Sequence, residues 1–316
     1  MLMPAPVLTI DCRYIFPRFA ASYLLREGDR ALFVDNNTAC AVPLLLERLR
    51  QEGLSPEQVD YAIVTHAHLD HAAGSRALLD ACPNAMLLAH PRAAGHIIDP
   101  SRLAASARKV YGDRAFEELY GTVGAVAAAR VRAMQEGEVL RWGGRELSFL
   151  HTRGHANHHF CVHDPASQGV FTGDAFGLAY PDLQKGGLFI FPSTSPTGYE
   201  PEEARASVER IVRTGAQRAF LTHFGELKNL RAAADQLLKH LDFSARLLEH
   251  AVHSGLSDAD LAGFCEQSLR EHYRVVLERL GLAEAGAWEL LKLDLELNAA
   301  GIAHAARKRR SPASGR

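Results

Sequence analysis

The sequence lacks any apolar run near the roughly 18 residues that a membrane-crossing helix needs. Its longest soft stretch, Val123 to Ala129, is built of small residues and contains Gly124. Net charge is also lacking: a formal −2 over 316 residues gives no broad electrostatic grip on nucleic acid or anionic lipid, so neither partner is expected. Cysteines are few, five in all, scattered, with no CxxC pair. That pattern reads as reduced thiols. The opening MLMPAPVLTI has no basic stretch followed by a long apolar one, so the expected location is cytoplasmic. No repeat of 20–50 residues is visible. A composition of 47% hydrophobic and 23% charged residues excludes a disordered or collagenous chain.

Turn signals and hydrophobic period divide the chain. Three strands are expected at Val7–Cys12, Ala20–Leu25 and Ala31–Asp35, then a helix at Val42–Arg50 and a buried strand at Tyr61–Thr65. A helix over Ala73–Ala81, a strand over Ala85–Ala89 and one helix across Ser101–Tyr120 follow. Val139–Trp142 and Glu146–His151 flank Gly143–Gly144, a hairpin signal. Further strands are expected at Phe160–His163, Val170–Thr172 and Arg218–Thr222, with a helix over Tyr199–Arg213. From Lys228 the pattern turns all-helical, and Ser257 with Asp260 resembles a capping box opening Leu261–Leu280. A further helix is expected at Ala285–Arg307. The expected organisation is an α/β body over 1–227, a helical extension over 228–306, and a basic, frayed tail over 307–316 that begins RKRR.

What the chain has in quantity is histidine, 16 residues, and their positions carry the information. Thr65-His66-Ala67-His68-Leu69-Asp70-His71 follows an apolar strand and places four metal-competent groups in one turn. At this chain's own His and Asp frequencies, HxHxDH arises by chance in roughly one sequence in 500. Neighbouring side chains cannot all converge on one ion, so other ligands must come from elsewhere. Three positions qualify, each at a strand end: His155 in HTRGH, Asp174 in FTGD and His223 in LTHFG.

HxHxDH, then HTxGH, TGDA and a late TH together resemble the metallo-β-lactamase-fold hydrolase superfamily, over about Val7 to Gly225. The resemblance implies an αββα sandwich, here followed by the C-terminal helical extension, with two metal ions. By that resemblance, His66, His68 and His155 hold the first ion, Asp70, His71 and His223 the second, and Asp174 bridges both. Zn²⁺ is the expected metal, with Fe or Mn as alternatives. Aspartate at 174, where true β-lactamases have cysteine, resembles the glyoxalase II, lactonase and tRNA-processing branches. HTRGHANHH resembles the glyoxalase II segment HTxGHTxGH, departing at Ala156 and His158. No Cys-Gly-Lys/Arg glutathione loop is recognisable in Ala175–Gly198, and the tyrosine of quorum-quenching lactonases is Gly177 here.

Two close-set divalent ions lower the pKa of a shared water from 15.7 toward about 7, giving a hydroxide that can attack an ester, thioester, lactone or phosphodiester; the glyoxalase II resemblance implies an ester or thioester of a small-molecule substrate. Asp70 is the expected catalytic group, orienting that water. Open alternatives are a lactonase, an iron-dependent persulfide dioxygenase-like oxidoreductase, and a non-catalytic metal-binding regulator. His159, Tyr180 and Lys185 are candidate substrate contacts. His90 and His96 read as packing or turn residues, Cys161 as an inert core thiol, and Asp164 before Pro165 as a turn aspartate whose loss would be nearly silent. All seven ligands precede Lys228, so the extension is expected to be dispensable for metal chemistry as such. Its apolar stripes must be buried against the mouth of the site, a second copy in a homodimer, or both.

Overall fold

The computed structural model describes residues 5–194 and 198–310. The described residues form two compact units: 5–151, 158–173 and 214–228 make the first, and 152–157, 174–194, 198–213 and 229–310 the second.

The first unit holds two six-stranded sheets. In one, β1 (Val7–Asp11), β2 (Ala21–Glu27) and β3 (Arg30–Val34) form an antiparallel meander. β3 then pairs in parallel with β4 (Val59–Val64), β4 with β5 (Met86–Ala89) and β5 with β6 (Val131–Ala133). The parallel strands need crossovers, and α1 (Val42–Gln51), α3 (Ser75–Ala81) and α4 (Pro91–Ile98) supply them. In the other sheet, β7 (Val139–Trp142), β8 (Arg145–His151), β9 (Phe160–Asp164) and β10 (Gly169–Gly173) run antiparallel. β11 (Arg218–Leu221) joins β10 in parallel, and β12 (Gly225–Lys228) closes the edge.

Alternation on the strands fills two cores. Leu24, Phe33, Ala62 and Leu87 meet Leu45, Leu49, Leu78 and Ile97 of the helices. Tyr23, Leu25, Leu32 and Ile63 face Phe149, Phe160, Phe171 and Phe220 of the other sheet. The second unit comprises α7 (Pro201–Arg213), the long α8 (Leu230–His253), α9 (Leu261–Arg279) and α10 (Ala285–Arg310), with the loop after Asp174. No helix among the described residues is long and apolar enough to cross a membrane.

Several expectations need correction. The helix expected across Ser101–Tyr120 is two, α5 (Ser101–Tyr111) and α6 (Asp113–Tyr120), broken where Gly112 takes φ 78°. Strand β12 had no signal in the sequence. Ser257 Oγ bonds the Asp260 carboxylate at 2.6 Å rather than a backbone N–H, and Asp260 is the N-cap residue of α9. Asp164 is no surface turn residue: it is fully buried, paired with the equally buried guanidinium of Arg145, which also reaches Glu27 at 2.8 Å and the Pro6 carbonyl at 3.0 Å. Arg307–Arg310 is not frayed but forms the last turn of α10, where Arg310 donates to the carbonyls of Ala251, Val252 and Leu256 and so caps the end of α8. Residues 311–316 of the expected tail lie outside the described residues.

Candidate metal centre

In the first unit, β4 ends at Val64 and the chain turns through Thr65, His66, Ala67 and His68 into the short helix α2 (Leu69–Ala72). That turn brings His66 Nε2 within 2.9 Å of His68 Nδ1. Helix α2 presents Asp70 and His71 together, and His223, just past β11, meets them: Asp70 Oδ2 lies 3.3 Å from His223 Nε2 and 3.8 Å from His71 Nε2. One donor atom from each of Asp70, His71 and His223 falls within 4.8 Å of the others. Two ligands of one tetrahedral Zn²⁺ with bonds of 2.0–2.2 Å stand about 3.3–3.6 Å apart, so the spacing and donor chemistry fit a divalent ion.

The imidazoles are oriented from behind. His71 Nδ1 is 2.9 Å from Asp35 Oδ2, and His223 Nδ1 is 2.9 Å from the Phe19 carbonyl. A carboxylate or a carbonyl only accepts, so Nδ1 carries the proton in both rings and Nε2 keeps the lone pair a metal requires. Asp35 was not foreseen from sequence. Its carboxylate also accepts from the Thr65 amide at 2.8 Å, from Thr65 Oγ1 at 3.0 Å and from Thr222 Oγ1 at 2.8 Å, tying the ends of β3, β4 and β11 together behind the ligands. The one available signal was an aspartate directly after a buried strand, in VDNN.

His159 is fully buried, its ring 4.9 Å from that of His66. Gly173, with φ 47°, backs it: a Cβ there would come within 2.5 Å of His159 Nε2 and 2.7 Å of Thr65 Oγ1. His158 Nδ1 accepts from the Ala67 amide at 3.4 Å. His90 caps α4, accepting from the Arg92 amide at 3.0 Å, and Cys161 is buried with its thiol toward the Thr172 carbonyl.

The second unit carries His155 and Asp174, with His155 Nε2 3.6 Å from Asp174 Oδ2 and His155 Nδ1 3.3 Å from the Ser193 carbonyl. Gly154 makes this loop fit: a Cβ would overlap the Ala204 backbone at 2.1 Å, where α7 begins. Of the two candidate substrate contacts in the following loop, Tyr180 is buried and donates to Asp294 Oδ2 at 3.0 Å, whereas Lys185 is exposed and paired with Asp182 at 3.1 Å.

Comparison with known proteins agrees with this geometry. The profile of the Metallo-beta-lactamase superfamily matches residues 15–223. A hydroxyacylglutathione hydrolase from Aeromonas hydrophila is 26% identical over 231 residues, covering 72% of this chain and 68% of that one. Among solved structures, an archaeal metallo-beta-lactamase superfamily protein from Sulfolobus tokodaii superposes with a TM-score of 0.65 at 20% identity, over 94% of this chain and 98% of its own. A metallo-beta-lactamase family protein from Thermus thermophilus gives 0.63 at 21% identity, over 96% and 92%.

Proposed function

Because the chain belongs to the metallo-beta-lactamase superfamily, we propose that it is a dinuclear metallo-hydrolase cleaving an ester or thioester bond of a small-molecule substrate. The observation that carries the reading is the Asp70–His71–His223 grouping, with both imidazoles held in the metal-binding tautomer by groups that only accept. In this reading His66, His68 and His155 hold one ion, Asp70, His71 and His223 the other, and Asp174 serves both. Zn²⁺ suits this N/O donor set, with no thiolate among the seven. Bound ions supply Lewis acidity toward the scissile carbonyl and lower the pKa of water.

The chain's own residues do the rest. Asp35 accepts from His71 Nδ1–H and so turns Nε2 of that ring toward the ion. The Phe19 carbonyl does the same for His223. Asp70, partly exposed, orients the attacking water and accepts its proton. The ester or thioester class is supported by aspartate rather than cysteine at 174 and by the distant likeness to a hydroxyacylglutathione hydrolase.

The test is elemental analysis of protein purified without chelator, joined to assay on thioesters, esters, lactones and phosphodiesters. About two Zn²⁺ per chain with thioester or ester turnover is the expected result. A stoichiometry near zero overturns the metal assignment, and a single tightly held iron points instead to oxidative chemistry.

A further inference from the structure

Helix α10 is 26 residues long, and one buried position on it is asparagine. Asn298 is 4% exposed. Burying a carboxamide costs free energy unless both its ends are satisfied. Here both are, and by the same short segment. Asn298 Nδ2 donates to the Pro192 carbonyl at 2.9 Å, and Asn298 Oδ1 accepts from the Thr194 amide at 2.6 Å. Thr194 Oγ1 shares its one proton between the Asn298 carbonyl at 2.9 Å and Oδ1 at 3.1 Å. The two backbone groups it grips lie on either side of one residue, Ser193. With the peptide before and the peptide after both fixed, the Ser193 carbonyl has little freedom to swing. That carbonyl lies 3.3 Å from His155 Nδ1.

We propose that Asn298 is a positioning residue for the metal ligand His155: its amide brackets Ser193, and the Ser193 carbonyl in turn fixes the His155 ring with the proton on Nδ1 and the lone pair on Nε2. This inference rests on the reading of His155 as a ligand of the first ion. It revises the expectation that the helical extension is dispensable for metal chemistry. The extension supplies no ligand, yet α10 reaches one through a single intervening residue. Groups that orient a metal-bound histidine typically change metal affinity 10–100-fold when lost.

The fold supplies an internal control. Gln236 of α8 grips the same loop in the same way one step earlier: its Oε1 accepts from the Ile190 amide at 2.7 Å and its Nε2 donates to the Leu188 carbonyl at 2.9 Å. That bracket encloses Phe189. General loosening of the loop moves both variants alike. Specific positioning of His155 moves only Asn298.

The experiment measures Zn²⁺ affinity by stepwise chelator competition on the full chain, with the d–d absorption of the Co²⁺-loaded protein as a second readout and circular dichroism to confirm folding. Asn298→Ala is expected to weaken the first ion 10–100-fold. It should shift the Co²⁺ spectrum and leave the second ion as tightly held as before. Gln236→Ala should stay within about 3-fold of the parent, well under the 10–100-fold loss. Thr194→Val, which removes only the hydroxyl's bonds, is expected to fall between, and it carries the test should Asn298→Ala fail to fold. Folded variants at 298 or 194 with unchanged affinity and spectrum overturn the proposal, as does an equal loss in Gln236→Ala. His155→Ala separates this failure from that of the parent reading. If it keeps both ions, His155 is not a ligand and both fall; if it loses one while the Asn298 and Thr194 variants lose none, only the positioning role falls.

Discussion

Acid should weaken the helical unit through one histidine pair. His240 on α8 and His272 on α9 meet with Nδ1 and Nε2 2.8 Å apart, and Phe243 stacks flat on His272 at 3.8 Å. Burial, then His272 and Lys239, pushes the His240 pKa down to about 3. Burial, then Arg246, pushes His272 down to about 4. The buried Tyr273 ring, 5.3 Å from that of His240, offers no compensating charge. In the unfolded chain both imidazoles titrate near 6.5. Between these values the unfolded state binds protons that the folded state refuses. The stabilisation is therefore complete above about pH 6.5 and is lost as pH falls toward 4. From pH 7 to pH 5 each ring costs about 2 kcal/mol, about 4 for the pair, against a total stability of roughly 5–15. Trp288 lies on α10 and Trp142 in the first unit, so a Trp142→Phe background makes fluorescence report the helical unit alone. Urea unfolding at pH 7, 6 and 5 is compared with the same protein carrying His240→Gln and His272→Gln, which cancels every other histidine. The expected result is a pH 7-to-5 loss larger in the parent by about 4 kcal/mol. A difference below about 1 kcal/mol would refute the argument that the pair is held neutral.

Two substitutions in the first unit probe its buried carboxylates. Asp164→Ala leaves the Arg145 charge without its fully buried partner and should destabilise by about 3–5 kcal/mol in urea unfolding read from Trp142, where a surface turn residue would give almost nothing. Asp35→Asn keeps the shape, and asparagine tolerates the left-handed backbone at φ 54°. It nevertheless presents an amide donor where His71 and Thr222 now donate, so chelator competition should show the second ion weakened about 10–100-fold, with a stability loss of about 1–3 kcal/mol from the unsatisfied buried donors.

The ligands were legible in the sequence because they come in runs. HxHxDH compresses four donors into one turn, and HTRGH, FTGD and LTHFG each sit directly after an apolar strand. Their supports were not legible, because each acts across long stretches of chain. Asp35 is one acid in VDNN, and its partners Thr65, His71 and Thr222 lie 30, 36 and 187 residues away. Asn298 hides in a helix whose pattern reads as apolar, 104 residues from Thr194. Asp164 looks like a turn residue because it precedes proline, and only the burial of Arg145 shows otherwise. The break at Gly112 was present in the sequence but outweighed by strong helix formers on both sides. β12 is a four-residue edge strand with too few positions to display a period.

The carbonyl and carboxylate behind His223 and His71 settle which ring nitrogen faces forward before any ion arrives. Such rings can accept an incoming cation without first exchanging a proton between their own nitrogens. Imidazole and carboxylate donors also rank divalent ions only by the general affinity order, so a centre built this way does little sorting of its own. Under the proposed reading that order puts Zn²⁺ above Fe²⁺ and Mn²⁺, so protein from zinc-rich, iron-rich and manganese-rich media is expected to hold Zn²⁺ wherever zinc is present and to share one fold throughout.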